Sequence, residues 1–436
     1  MKSRSIFEFD LILPLTVTAL MVIGILFIYS SGISSTGINM SNEYIKQIIW
    51  ASIGLVMLVL FNFIDYSKLK NLSRHFYFVL LLALLFTLMF GQVVKGSRAW
   101  LGIGPFGIQP SEFSKIATIL FLAKYLEDSQ KSQNTFLRFV IALAIGLFPM
   151  GLILLQPDLG TAMVYVPLVL IMVFLAGLPV RYIAFVTFTG LLAIFLTVLP
   201  AWEEFILGYS IRALQFLINP DLLIITIFAS LIILVLSIGG YVFIKKKYYY
   251  WITYTVSIFM LSLAGAFLGG KVLKDYQLKR LIVFIDPGVD PRGAGWNVIQ
   301  SITAVGSGGG MGKGFLKGTQ SHYRFLPEQS TDFIFSIIAE EWGFLGCSII
   351  FLLFLVILLR SLYILNTSKD KFGLYMGGGI LGVIFFHFII NVGMAMGIMP
   401  ITGIPLIFLS YGGSALWSGL LGIALIMNVY SHRYKY

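Results

Sequence analysis

The sequence predicts an all-α polytopic membrane protein, and three observations carry that expectation. Hydrophobic residues make up 58% of the 436 and charged residues 11%, too little polar surface to coat several soluble globules. The apolar residues come in continuous runs of about 20, the length that crosses a hydrocarbon core of about 30 Å as helix. These runs also lack the apolar/polar alternation that the strands of a membrane β-barrel require.

Taken in order, the runs place spans at 11–30, 46–64, 76–94, 112–127, 137–155, 160–178, 181–199, 221–243, 249–270, 332–359, 374–398 and 405–429. The first follows Met-Lys-Ser-Arg. Its apolar part is too long for a signal peptide and many spans follow, so it reads as an uncleaved span. Twelve spans return both termini to one side, and basic residues say which. With the N-terminus inside, more than half of the 30 Lys and Arg residues fall on inner segments. These are Lys2, Arg4, Lys68, Lys70, Arg74, Lys124, Lys131, Arg138, Arg181, Lys245, Lys246, Lys247, Arg360, Lys369, Lys371, Arg433 and Lys435. Short outer loops hold only Lys46, Lys95, Arg98, Lys115 and Arg212. The expected location is the cytoplasmic membrane, with cytoplasmic termini and one long external loop.

The net charge of +11 is therefore a signature of orientation. No Arg/Lys-plus-aromatic module of a nucleic-acid binder accompanies it, so membrane lipid and not nucleic acid is the expected surroundings. Cys347 is the only cysteine and lies in an apolar run, which excludes disulfides and thiolate metal sites. His75, His322, His387 and His432 are scattered, which argues against a histidine metal centre.

Four segments follow from this layout. Residues 1–199 carry spans one to seven, and 200–270 an external segment with a two-span hairpin. Residues 271–331 form the long external loop, and 332–436 the last three spans. The loop is too aromatic and too charged for a linker, and its apolar stretch 281–285 predicts short helices folded back on the outer span ends. No internal repeat is visible, which disfavours the repeat-built transporters.

Three external segments hold most of the unusual polar residues. The first contains Arg98 and Trp100, then Gln109-Pro-Ser-Glu112-Phe-Ser-Lys115, where Pro110 predicts a helix start. Glu112 and Lys115 are then i,i+3 neighbours, suited to a local ion pair or to substrate contact. The second is Gln156-Pro-Asp158-Leu-Gly-Thr161, where Asp158 can cap the next helix or act directly. The third is the long loop, with Asp286, Asp290, Gln300, Ser301, the glycine run before Lys313, Gln320 and Ser321. That run is not a P-loop, because Ser307 stands five before Gly312 and Gly314 follows the lysine. It still offers backbone N–H groups and an ammonium that could hold an anionic headgroup.

Deeper in the membrane, Glu340 and Glu341 fall about 13 Å below Asp332. Neighbours on a helix point about 100° apart, so the two carboxylates should not share a partner. Intramembrane carboxylates are functional candidates as well as structural ones. His387 and Asn391 share a face and suit interhelical hydrogen bonds better than a proton path.

Together these stretches resemble the SEDS family, the RodA, FtsW and SpoVE type. The resemblance runs through Gly96-Ser-Arg-Ala-Trp100, Gln109-Pro-Ser-Glu112, Gln156-Pro-Asp158-Leu-Gly-Thr161 and Asp290-Pro-Arg-Gly-Ala-Gly. It continues through Gln300-Ser301, Gly318-Thr-Gln-Ser321, Leu326-Pro-Glu328, Thr331-Asp-Phe-Ile-Phe335 and Ala339-Glu-Glu341. It ends in Pro400-Ile-Thr-Gly-Ile-Pro405 and Ser410-Tyr-Gly-Gly-Ser414. The stretch Gly318-Thr-Gln-Ser321 is similar to the RodA branch more than to division-specific FtsW. Two features depart from the pattern. Ser330 stands where the family usually has His, and the family core has ten spans, so the pair 221–243 and 249–270 reads as a peripheral insertion.

The resemblance implies a peptidoglycan glycosyltransferase that polymerises lipid II at the outer membrane face during elongation, releasing undecaprenyl diphosphate. It implies Asp290 as the general base that activates a sugar hydroxyl. Arg98, Trp100, Gln109, Glu112, Lys115, Asp158, Gln300, Ser301, Lys313, Gln320 and Ser321 are then the expected substrate-binding residues. Arg98, Lys115, Lys313 or a divalent cation such as Mg or Mn are candidates to stabilise the leaving diphosphate. The implied partners are a class B penicillin-binding protein supplying transpeptidation and the elongation machinery. A lipid II flippase is the rival reading, and a scaffold for cell-wall enzymes a third.

Overall fold

The computed structural model describes residues 10–94, 96–102, 107–131, 134–209, 211–272 and 275–432. Lys2, Arg4, Lys95, Arg433 and Lys435, which the charge argument used, lie outside the described residues. The chain divides into two compact units, Met1–Leu178 with Gln300–Tyr436, and Pro179–Ile299.

The first unit opens with α1 (Ile12–Ser31), α2 (Glu43–Phe63) and α3 (Tyr66–Phe90), then the short strands β1 (Gln92–Val94) and β2 (Ser97–Trp100). Next come α4 (Pro110–Asp128), α5 (Thr135–Leu155), α6 (Leu159–Met163) and α7 (Tyr165–Leu175). The second unit contains α8 (Val180–Trp202), α9 (Gln215–Ile218), α10 (Pro220–Ile244), α11 (Lys247–Val272) and α12 (Asp275–Ile285). The chain re-enters the first unit along α13 (Ala294–Ser307), then forms α14 (Thr319–His322), α15 (Ile334–Asn366), α16 (Lys371–Ala395) and α17 (Gly413–His432).

Helix starts follow local chemistry. Asp65, Asn134, Asp158 and Asp370 each accept a hydrogen bond from the first turn of the following helix, at 3.0–3.1 Å. Pro110 opens α4, as expected. Ten described helices are long and apolar enough to cross a membrane. The charge-bearing α4 and the shorter stretch Leu159–Leu175 supply a helix at each remaining predicted span.

Three boundaries differ from the expectation. The third helix begins at Tyr66, ten residues before the predicted 76, because Asp65 caps it and its first turns carry Lys68, Lys70 and Arg74 beyond the apolar run. Lys70 Nζ lies 2.8 Å from a carboxylate oxygen of Glu127. The last helix begins at Gly413 instead of 405. The segment before it is irregular, and its Ile404 and Pro405 carbonyls accept from Asn391 Nδ2 at 2.8 Å and pair with His387 Nδ1 at 2.9 Å. These contacts tie both α16 side chains to the irregular segment and not to a helix; of the two, His387 also reaches across to α4, where Lys115 Nζ lies 3.2 Å from its Nε2.

The third difference is a break inside α15 at Gly343 (φ 61°, ψ −157°), a backbone region that only glycine adopts without strain. The break frees backbone groups that must find partners. The carbonyls of Glu340 and Glu341 accept from the N–H groups of Lys313 (3.0 Å) and Gly314 (2.9 Å). The N–H groups of Phe344 and Leu345 donate to the carbonyls of Gly309 (2.9 Å) and Gly310 (3.1 Å). The glycine run therefore plugs the break. A Cβ on Gly312 would lie 2.1 Å from the Glu341 carbonyl oxygen, which explains the absence of a side chain.

The second unit is held together differently. Gly265 and Gly269 of α11 form a small-xxx-small pair facing Ala193 and Thr197 of α8, where an added Cβ would meet a side-chain atom at 3.1 Å. Ser262 Oγ donates to the Thr189 carbonyl at 3.0 Å. Sequence number rises in step along both helices at these contacts, so α8 and α11 run parallel. Leu196, Leu223, Leu263 and Ala266 form the small core. The apolar stretch 281–285 is the last part of α12, which packs on α8 with Ile282 and Val283 buried.

Candidate functional site

The predicted site residues fall into three groups. In the second unit, Asp286 caps a 3₁₀ turn, Pro287–Val289, by accepting from the Gly288 N–H at 2.8 Å. Asp290 ends that turn. Its carbonyl accepts from the N–H groups of Gly293 (3.2 Å) and Gly295 (2.9 Å), which bends the chain into the start of α13. A Cβ on Gly293 would lie 2.3 Å from Asp290 Oδ2, and one on Gly295 would lie 2.3 Å from the Pro287 carbonyl. Gly293 thus leaves room for the half-buried carboxylate, and Gly295 for the carbonyls of the turn.

In the first unit, a polar network crosses from α4 to α16 and α17. Lys115 Nζ lies 2.8 Å from Glu112 Oε1 and 3.2 Å from His387 Nε2. Ser418 Oγ donates to Glu112 Oε2 at 3.0 Å. Lys115 is 1% exposed and Glu112 2%, so this pair is removed from solvent in full. Beside it, Gln109 Nε2 donates to Asp158 Oδ2 at 2.8 Å, and the Gln109 N–H donates to Ser414 Oγ at 3.0 Å. Asp158 caps α6 through the Thr161 N–H (3.1 Å) and also accepts from the Thr161 hydroxyl (2.9 Å). Desolvation pushes the Asp158 carboxyl above its ordinary pKa, against the pull of both Thr161 donors. The exposed Arg98 and half-buried Trp100 sit on the β1–β2 hairpin, where the Arg98 N–H donates to the Gln156 carbonyl at 3.1 Å.

The third group surrounds Glu340. Its Oε1 accepts from Lys313 Nζ (2.8 Å), the Thr319 N–H (2.7 Å) and hydroxyl (2.9 Å), and the Gln320 N–H (2.9 Å). Its Oε2 accepts from the Ser321 N–H at 3.3 Å. Glu341 turns elsewhere, accepting from Ser30 Oγ at 2.5 Å and the Leu316 N–H at 3.0 Å. The two carboxylates share no hydrogen-bond partner, as their angular separation required. Lys313, Gln320 and Ser321 therefore meet at a carboxylate of α15. Ser301 meets neither group: its hydroxyl lies 2.6 Å from Ser336 Oγ and donates to the Ala395 carbonyl at 2.7 Å. Gln300 is half-buried in α13.

Sequence reasoning passed over Ser414, Ser418 and His387 as members of the α4 network. A signal existed, since Ser414 and Ser418 are i,i+4 neighbours on one face of a helix whose first half is otherwise apolar. Ser30, an unremarkable residue near the end of a span, gave none.

Apolar helices around buried ion pairs define a polytopic membrane protein. The profile of the FtsW, RodA and SpoVE family, described as "Cell cycle protein", matches residues 10–204 and 202–435. The chain belongs to that family. It is 48% identical to the peptidoglycan glycosyltransferase RodA of Treponema pallidum, over 98% of this chain and 99% of that one. It is 32% identical to the peptidoglycan glycosyltransferase MrdB of Escherichia coli, over 96% and 92%. Among solved structures it resembles a chain from a study of how a peptidoglycan synthase complex coordinates polymerization and crosslinking. That likeness has 26% identity, 98% and 99% coverage and a TM-score of 0.68. It shares the fold of Thermus thermophilus RodA at 23% identity, 98% coverage of each chain and a TM-score of 0.60.

Proposed function

We propose that this chain is a peptidoglycan glycosyltransferase that polymerises lipid II into glycan strands during cell elongation. The observation that carries the reading is the full-length 48% identity to a glycosyltransferase of that name. The reaction joins a sugar hydroxyl of one lipid-linked disaccharide to the anomeric carbon of another, and undecaprenyl diphosphate leaves. The chain spans the membrane many times. We place its termini in the cytoplasm and Asp290 outside, on the distribution of Lys and Arg.

A sugar hydroxyl is a weak nucleophile, and Asp290 takes its proton as attack proceeds, worth typically about 10²–10⁴-fold. The tight turn supports this role by holding the carboxylate at the head of α13 with no bulk beside it. The leaving diphosphate needs charge stabilisation rather than a proton. Of the candidate cations, Lys115 and Lys313 each already face a carboxylate at 2.8 Å, which favours the exposed Arg98. Among the described residues no three metal-ligating side chains come together. A Mg or Mn ion would be held chiefly by diphosphate oxygens, with one or two protein carboxylates beside them.

A transporter reading drew support from the intramembrane Glu340, whose oxygens are engaged by Lys313 and backbone N–H groups. It is not favoured. For transpeptidation we propose a class B penicillin-binding protein as partner, docking through its own membrane span. An apolar groove of about 910 Å³ along α15, lined in part by Phe335, Cys347, Phe351, Leu355 and Phe388, suits such a helix.

The test is polymerisation of labelled lipid II by purified protein, with and without that partner. Asp290→Asn should cut glycan synthesis by about 10²-fold or more while leaving the melting temperature unchanged. An active Asp290→Asn protein would refute the base assignment. Failure of the wild type even with the partner would refute the enzyme reading.

A further inference from the structure

The hairpin of α10 and α11 has no part in the reaction proposed above, yet one end of the second unit is chemically distinctive. Arg181, at the start of α8, is exposed, with its guanidinium 5.3 Å from the Tyr182 ring centroid and 6.0 Å from that of Tyr250. Tyr254 Oη donates to the Arg181 carbonyl at 2.8 Å. The start of α8 therefore lies beside the first turns of α11, at the end where α10 turns into α11. That turn carries Lys245, Lys246 and Lys247, all exposed. Segments 179–190 and 241–258 contain these four cations and no carboxylate.

A second feature begins at the same place. An apolar groove of about 560 Å³ runs between α8 and α11, lined by Phe188, Leu191, Leu192, Phe195, Tyr254 and Ile258 among others. Tyr254 belongs both to the groove and to the Arg181 cluster. An apolar groove adjoining a cationic, aromatic-rimmed end matches a molecule with an acyl chain and an anionic head.

We propose that this is a binding site for an anionic phospholipid, with an acyl chain in the α8–α11 groove and its phosphate at Arg181 and the lysines of the turn. A guanidinium presents a planar fork of donors that suits phosphate oxygens. The tyrosine rings hold that fork at the level where aromatic side chains meet headgroups. Net negative charge is selected because a zwitterionic head brings a cation into a cluster that contains four already. The site depends neither on the glycosyltransferase reading nor on which leaflet meets this end.

The test is native mass spectrometry of the full-length protein in detergent with equimolar phosphatidylglycerol and phosphatidylcholine of matched chains. The wild type should retain phosphatidylglycerol in preference. Arg181→Gln should reduce that preference roughly fivefold, the effect of about one basic residue near a charged headgroup. Leu191→Trp, which fills the groove and leaves every charge in place, should lower retention of both lipids. Size-exclusion profiles matching the wild type establish that each variant is folded. Equal retention of the two lipids, or a preference for phosphatidylcholine, would overturn the proposal. So would undiminished retention by Leu191→Trp, which would reduce the effect to surface attraction.

Discussion

The two units differ in how deeply their most buried helices are covered. In the first, the buried share of the apolar window runs from 22% in α2 to 78% in α16 and α17; in the second it is 6% for the α8 region, 17% for α10 and 11% for α11. Exposure on that scale would be ruinous in water, but lipid tails are as apolar as leucine and exact no penalty. The lesson concerns polar groups. A bundle that buries its helices can hold Lys115, Glu112 and Glu340 away from solvent, provided each finds partners. A unit open to lipid has a smaller interior: it buries Glu203, whose Oε1 accepts from the Ile211 N–H at 2.7 Å, and otherwise relies on small residues and a short leucine cluster.

That contrast can be broken or sharpened by substitution. The largest effect should come from Lys115→Met, which strands Glu112 in an apolar interior and should cost about 3–5 kcal/mol. Adding Glu112→Gln should recover part of the loss, and thermal unfolding in detergent reads both. A double variant no more stable than the single would remove the ion pair from the account. Gly343→Ala should follow. Strain at its backbone angles is worth about 1–3 kcal/mol, and the new Cβ would lie 2.3 Å from the Gly312 nitrogen. In the second unit Gly265→Leu should cost about 1 kcal/mol, the lower end for overpacking, because the α8 helix it presses against is backed largely by lipid and can move aside. Smallest of all, Leu236→Ala on the open face of α10 should shift stability by no more than about 0.5 kcal/mol. A larger loss would mean that this face is covered by something other than lipid.

Much of the membrane layout was legible because one property, continuous apolar length, decides it. Each predicted span holds helix. Errors arose where a helix outruns its apolar run, as α3 does, or where glycine and proline delay one, as they do before α17. Capping roles at Pro110 and Asp158 were readable because they depend on a few adjacent residues. The break at Gly343 was not: Trp-Gly-Phe inside an apolar run looks like ordinary span, and its cause lies about thirty residues earlier in the glycine run. For the same reason that run suggested an anion cradle. Its N–H groups do cradle oxygens, but those of α15. The Lys115–Glu112 pair was visible as a spacing, whereas His387 and Ser418 reach it only through tertiary packing.

Glu340 carries one further implication. Its two oxygens accept from an ammonium, two hydroxyls and three backbone N–H groups. Glutamine has nearly the same shape, but it would turn an NH₂ group toward that ring of donors. Aspartate keeps the chemistry and loses the reach. The position thus reads a vocabulary of one word, written by backbone amides that no substitution elsewhere can rewrite.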